Sequence, residues 1–90
     1  MLKRASVEYR GSVQGVGFRY SATETAAGFQ VTGHVKNLTD GGVEIVAEGD
    51  RAEVAAFLKA IDARMGGLIS SQDARWSDAT GEFDGFRIRV

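Results

Sequence analysis

An arginine in the first turn of a helix, preceded by a glycine-rich bend, is an arrangement that can hold an oxyanion. Here the bend is Gly11-Ser12-Val13-Gln14-Gly15-Val16-Gly17, and Phe18 and Arg19 follow it. Glycines between a strand and a helix let successive N–H groups curl into one concavity, and the helix N-terminus adds partial positive charge. A phosphate-sized anion fits such a nest. The Arg19 guanidinium can reach over it and offer two parallel charge-assisted hydrogen bonds. From spacing alone, a structural turn with a surface arginine stands equally open. Two nucleotide motifs do not. A P-loop needs Gly-Lys-Ser or Gly-Lys-Thr after its second glycine, where this chain has Val16 and Gly17, and a dinucleotide fingerprint needs glycine where Tyr20 stands.

Asn37 is the next polar candidate. Asn37-Leu38-Thr39 matches a glycosylation sequon, a chance match without a secretory signal, and Asn is also favoured at the start of turns. His34 is the sole histidine and precedes Asn37 by three residues, which makes it tempting as a general base. Strand alternation puts it on the face opposite Val35 and Asn37, so a packing role is expected instead.

Composition narrows the rest. With no cysteine there is no disulfide, no thiol nucleophile and no thiolate zinc site, and one histidine excludes a multi-histidine metal centre. Carboxylate sites stay formally open, but no metal or other cofactor is expected. A net charge of −1 gives no general pull toward nucleic acid or anionic membrane. The first residues lack an apolar run behind their charges, so no secretory signal is expected, and no stretch has the roughly 18 apolar residues of a membrane span. A cytoplasmic monomer is the expectation, and 90 residues make one domain, 1–90.

The elements that must position these residues are legible from periodicity. Ala5, Val7 and Tyr9 alternate with Ser6, Glu8 and Arg10, predicting a strand with one buried face. Helical spacing begins at Phe18 and runs through Ala22 to Phe29, with Gly28 placed as a left-handed C-terminal cap. Val31, Gly33 and Val35 form a second strand. Asp40-Gly41 supplies the positive-φ pair of a tight reversal, and Val43, Ile45 and Ala47 share one face of the returning strand. Asp50 and Glu53 are spaced as a capping box before the stripe Val54, Phe57, Leu58, Ile61 and Met65, which Gly66-Gly67 ends. A less regular strand covers residues 68–77, a loop residues 78–85, and Phe86-Arg87-Ile88-Arg89-Val90 closes the chain as a strand. The order β-α-β-β-α-β plus a short C-terminal strand predicts an α+β, ferredoxin-like sandwich, with an antiparallel sheet and both helices on one face.

The string Gly11-Ser12-Val13-Gln14-Gly15-Val16-Gly17-Phe18-Arg19 resembles the acylphosphatase motif Gly-x-Val-Gln-Gly-Val-x-Phe-Arg. A second string, from Gly33-His34-Val35-Lys36-Asn37 through Asp40-Gly41-Gly42-Val43-Glu44, resembles that family's Gly-aromatic-Val-x-Asn-x-x-Asp-Gly-x-Val-Glu. The resemblance implies hydrolysis of the carboxyl-phosphate bond of a small acyl phosphate. It implies that the backbone N–H groups of Gln14, Gly15, Val16, Gly17, Phe18 and Arg19 cradle the phosphoryl group together with the Arg19 side chain. Asn37 would orient the attacking water, and His34 would fill the family's aromatic slot. Two departures touch helix ends and packing, and spare Arg19 and Asn37: Gly66-Gly67 stands where many relatives have Gly-Pro, and Phe29-Gln30-Val31 replaces a Gly-Leu-x pattern.

Two other classes share the element order. One is a phospho-ligand binding module without turnover. The other is a single-strand RNA binder, which needs aromatics on the central strand, where this chain has Val43-Glu44-Ile45-Val46-Ala47-Glu48.

Overall fold

The computed structural model describes residues Met1–Val90. In chain order it contains β1 (Leu2–Gly11), α1 (Phe18–Ala26), β2 (Thr32–Asn37), β3 (Val43–Asp50), α2 (Arg51–Met65), a 3-10 turn (Gly66–Leu68), β4 (Ile69–Asp78) and β5 (Phe86–Arg89). The strands form a single sheet in the order β4-β1-β3-β2-β5. The expected ferredoxin-like arrangement is present, with one refinement. The sheet is antiparallel except at one edge, where β5 runs parallel to β2 with Val35 beside Ile88. The reason is geometric. After β4, the chain crosses the end of the sheet and returns in the opposite direction on the far edge, where β2 already runs that way.

The period-2 pattern of β1 decides which face is buried. Ala5, Val7 and Tyr9 are all but inaccessible to solvent and stand opposite Ala47, Ile45 and Val43 of β3. Helix α1 adds Phe18, Ala22 and Ala26 to this face, and α2 adds Val54, Phe57, Ile61 and Met65. Aromatic contacts lock the layers: the Tyr9 and Phe18 rings lie 5.2 Å apart, and Phe57 meets Phe29 at 6.0 Å and Phe86 at 5.4 Å. Such tilted and edge-on pairs add to the stabilisation from area buried. Leu58, at the margin of the α2 stripe, is only partly buried against this cluster.

Three local expectations are corrected. Gly28 does not adopt a left-handed conformation. Helix α1 instead tightens at its end, where the N–H groups of Gly28 and Phe29 bond the carbonyls of Thr25 and Ala26, satisfying acceptors that a glycine cap would otherwise serve. The Asp50–Glu53 capping box does not form, because both carboxylates have tertiary partners: Asp50 meets the Met1 amino group at 2.9 Å, and Glu53 accepts from the Gln30 N–H at 2.9 Å. In the β2–β3 reversal only Gly41 has positive φ. Asp40 acts through its side chain, accepting from the Gly42 N–H and from Arg10 at 2.6 Å. The Gly42 N–H, then Arg10, hold its carboxyl below the usual carboxylate range.

The sheet face away from the helices is partly covered by residues 79–85, and a buried carboxylate holds them there. Glu48, 4% exposed, accepts from Arg4 Nε at 2.7 Å, from the N–H groups of Thr80 and Gly81 at 2.9 Å each, and from the Thr80 hydroxyl. Arg4 also pairs with Glu82. Burial pushes the Glu48 carboxyl up, but these hydrogen bonds outweigh it and leave the group below its ordinary value. The Gly85 carbonyl of the same segment accepts from the Gly33 N–H, so it fixes where β5 begins. Phe83 from this segment packs edge-on to His34 at 5.6 Å.

Candidate active site

β1 leaves the sheet through a register shift between Arg10 and Gly11. The chain then bends across residues 12–17 into α1. Gly15 and Gly17 both have positive φ, 75° and 79°, a conformation that L side chains rarely adopt. Gly17 is the N-cap of α1 and brings no side-chain oxygen to the helix start. The first α1 bond runs from the Ser21 N–H to the Gly17 carbonyl, and no N–H from Gln14 to Gly17 donates to another backbone group. A run of donors at a helix N-terminus is thereby left free, at the positive end of the helix dipole.

The bend is tied down on two sides. The Ser12 N–H bonds the Leu68 carbonyl at 2.9 Å. On the other side, Gln14 Nε2 donates to the carbonyls of both Leu38 and Gly42, each at 2.7 Å. Leu38 and Gly42 belong to the β2–β3 reversal, and Asn37 is the last residue of β2. One side-chain amide therefore sets the loop's position relative to Asn37.

These elements enclose an open cavity of about 220 Å³, lined by Val13, Gly15, Gly17, Phe18, Arg19, Tyr20, Asn37 and Ile88. Arg19 is half-buried on the first turn of α1. Arg4, Arg10, Arg64, Arg75 and Arg87 each pair with a carboxylate, and Arg51 lies 4.2 Å over the Trp76 ring. Arg19 has neither kind of partner, so its charge is uncompensated at the cavity. Asn37 Oδ1 is buried and has no hydrogen-bond partner within the protein. An unpaired buried acceptor costs on the order of 1–3 kcal/mol, so it marks a place where a polar group is accommodated. No Asp, Glu or His lines the cavity.

The structure thus brings Arg19, Asn37, Gly15, Gly17 and Phe18 to one cavity, and the exposed Tyr20 lines it as well. Gln14 and Val16 are not among the lining residues. Gln14 turns its side chain to the reversal, and Val16 faces solvent. His34 lies on the other sheet face, bonded through Nε2 to Glu44 at 3.0 Å, in keeping with the packing role expected of it. Sequence reasoning overlooked the side chain of Gln14, the wall formed by Val13, and Ile88. The alternation of Phe86 and Ile88 was the available signal for the last, since it puts Ile88 on the helix-facing side beside Val35.

Fold and cavity together define a small α+β domain whose strand-to-helix bend presents free main-chain donors beside an unpaired guanidinium. The acylphosphatase family model matches residues 5–88, and the chain belongs to the acylphosphatase family of hydrolases. An acylphosphatase of Paenarthrobacter aurescens (strain TC1) is 45% identical over 86 residues, covering 94% of this chain and 92% of that one. The crystal structure of acylphosphatase from Bacillus subtilis superposes with a TM-score of 0.84 at 30% identity, covering the whole of both chains. The same fold recurs within a larger protein, T. kodakarensis HypF, at a TM-score of 0.82 and 30% identity, covering 98% of this chain and 12% of that one. No helix of the chain is long and apolar enough to cross a membrane.

Proposed function

We propose that the chain hydrolyses acyl phosphates to a carboxylate and inorganic phosphate, with the phosphoryl group held by the N–H groups of residues 14–19 and by Arg19, and with the attacking water oriented by Asn37. The observation that supports this reading is that Arg19, Asn37, Gly15, Gly17 and Phe18 line one cavity, beside a bend whose N–H groups from Gln14 to Gly17 have no backbone acceptor. The dianionic phosphoryl end sits against fixed dipoles and one guanidinium, which need no reorganisation as charge shifts in the transition state.

Water then attacks phosphorus, the bond from phosphorus to the bridging carboxyl oxygen breaks, and the electron pair leaves with the carboxylate. A carboxylate is stable unprotonated near neutral pH, so no general acid is required for its departure. Asn37 Oδ1 accepts a hydrogen bond from the water and aims it. The lining offers no carboxylate or imidazole to take the water's proton, so a phosphoryl oxygen of the substrate receives it.

Hydrolysis of benzoyl phosphate by the parent, Arg19→Ala and Asn37→Ala tests the assignment. Arg19→Ala is expected to lose rate and substrate binding together, and inorganic phosphate is expected to inhibit it poorly. Asn37→Ala is expected to lose about 10²–10³ in kcat with little change in phosphate inhibition, as when one transition-state hydrogen bond is removed. Variants as fast as the parent refute these roles. A parent that binds phosphate without turnover is a binding module instead.

A further inference from the structure

The large apolar side chains exposed on this molecule are Met1, Leu2, Val16, Tyr20, Ile88 and Val90. Three of these lie at the ends of the chain. The others, Val16 at 45%, Tyr20 at 63% and Ile88 at 46% exposure, gather at the candidate active site. Tyr20 and Ile88 line the cavity itself, and Val16 stands between the lining residues Gly15 and Gly17. They come from separate places in the fold: the bend, the first turn of α1 and the edge strand β5. Scattered single apolar residues need no explanation, but internal ones confined to the rim of one cavity mark a surface that meets something apolar.

The same cavity has a second, chemically distinct part. Arg19, Asn37 and the N–H groups of the bend account for a phosphoryl group, while the exposed side chains of Tyr20 and Ile88, set above the buried Val13 and Phe18, form an apolar rim that it does not use. We infer that this apolar rim receives the acyl group of the substrate, and that the enzyme selects acyl phosphates with extended or aromatic acyl groups over acetyl phosphate. The inference rests on the function proposed above and adds its substrate class. The rim is open to solvent, so only one side of an acyl chain is covered. The discrimination belongs at the low end of what apolar pockets achieve, about 10-fold between acetyl and hexanoyl groups. The contact is made equally in the bound substrate and in the transition state, so it lowers KM and leaves kcat nearly constant.

Straight-chain acyl phosphates from acetyl to hexanoyl test this cleanly, because their leaving groups have nearly the same basicity. The parent is expected to show kcat/KM rising about 10-fold along the series, through KM. In Tyr20→Ser and in Ile88→Ser the hexanoyl-to-acetyl ratio is expected to fall toward one. Leu2→Ser, an exposed apolar residue outside this cavity, should keep the parent ratio. Because the readout is a ratio within each variant, partial loss of folded protein does not mimic the effect. A parent that hydrolyses every member with the same kcat/KM overturns the acyl site and leaves the hydrolytic function standing. So does a parental ratio retained in both rim variants. A parent that hydrolyses none of them overturns both.

Discussion

Removing the Gln14 side chain severs the only side-chain hydrogen bonds between the bend at residues 12–17 and the reversal that follows Asn37. In Gln14→Ala, two bonds of 2.7 Å to the carbonyls of Leu38 and Gly42 are lost. Neither carbonyl is orphaned. The Gly42 carbonyl keeps the Leu38 N–H at 2.8 Å, and the Leu38 carbonyl keeps the Gly41 N–H at 3.2 Å. The cost is therefore that of two net hydrogen bonds without a desolvation penalty, about 1–2 kcal/mol. For a domain of this size that corresponds to a fall in Tm of about 5–12 °C. The effect on catalysis is separable from this. The N–H groups proposed to hold phosphate lie within the bend itself, whereas Asn37 lies across the severed link. Inhibition by inorganic phosphate is expected to change by less than about 3-fold, while kcat falls 10-fold or more, since displacement of about 1 Å can cost 10²-fold. Gln14→Glu is a sharper probe, because it places a carboxylate against two carbonyl oxygens. It should be worse than alanine at neutral pH and recover in part under acid conditions, where the protonated carboxyl donates one bond. Thermal melts and benzoyl phosphate kinetics with phosphate inhibition measure all of this. If both variants match the parent in Tm and kcat, the bend and the reversal are positioned by other contacts and the reasoning fails.

Two further expectations concern stability. Tyr9 buries its hydroxyl without a partner beside Phe18, so Tyr9→Phe should stabilise the fold by about 1 kcal/mol in urea titrations. Burial, then the charge of Asp62, pushes the Tyr9 phenol well above its ordinary value; its contribution is whole below about pH 10 and lost as pH rises through the folded value, a decline that the phenylalanine variant should lack. Glu48→Gln is expected to cost about 2–3 kcal/mol, somewhat less than a fully buried pair because Arg4 is partly exposed. The Glu48 carboxyl is lowered in the fold, so its stabilisation is present above about pH 4.3 and lost as pH falls through the folded value. The parent's urea midpoint should therefore fall more steeply in acid than that of the variant, and parallel acid limbs would remove Glu48 as the holder of residues 79–85.

The parts of the fold legible in the sequence were those whose signal is local and repeated. Ala5, Val7 and Tyr9 declared a buried strand face because alternation leaves no other way to hide them. The stripe from Val54 to Met65 declared a helix for the same reason. Single-residue signals fared less well. Gly28, Asp50 and Glu53 are ordinary punctuation in a chain read linearly, but the groups they would have served, or their own carboxylates, were claimed by neighbours in the fold. The parallel edge was hidden because direction depends on where a loop lands, which no window of residues records. At the cavity, Arg19 and Asn37 were legible through the long strings around them. Gln14 was legible only for its N–H, since its side-chain partners are carbonyls that carry no mark in the sequence. Ile88 was visible as a strand residue, but its neighbours at the cavity became apparent only once β5 was set beside β2.

Gly17 begins α1 without an oxygen of its own to close the first turn. A serine or aspartate is the ordinary remedy at a helix start, but the left-handed φ of Gly17 disfavours any side chain there, and the added oxygen would occupy the place that the proposed chemistry keeps for a visitor. On this reading, each arriving phosphoryl group completes the helix and each departing phosphate leaves it unfinished again. The domain is then at its most secure while occupied, and what it forgoes in rest is what makes the site receptive.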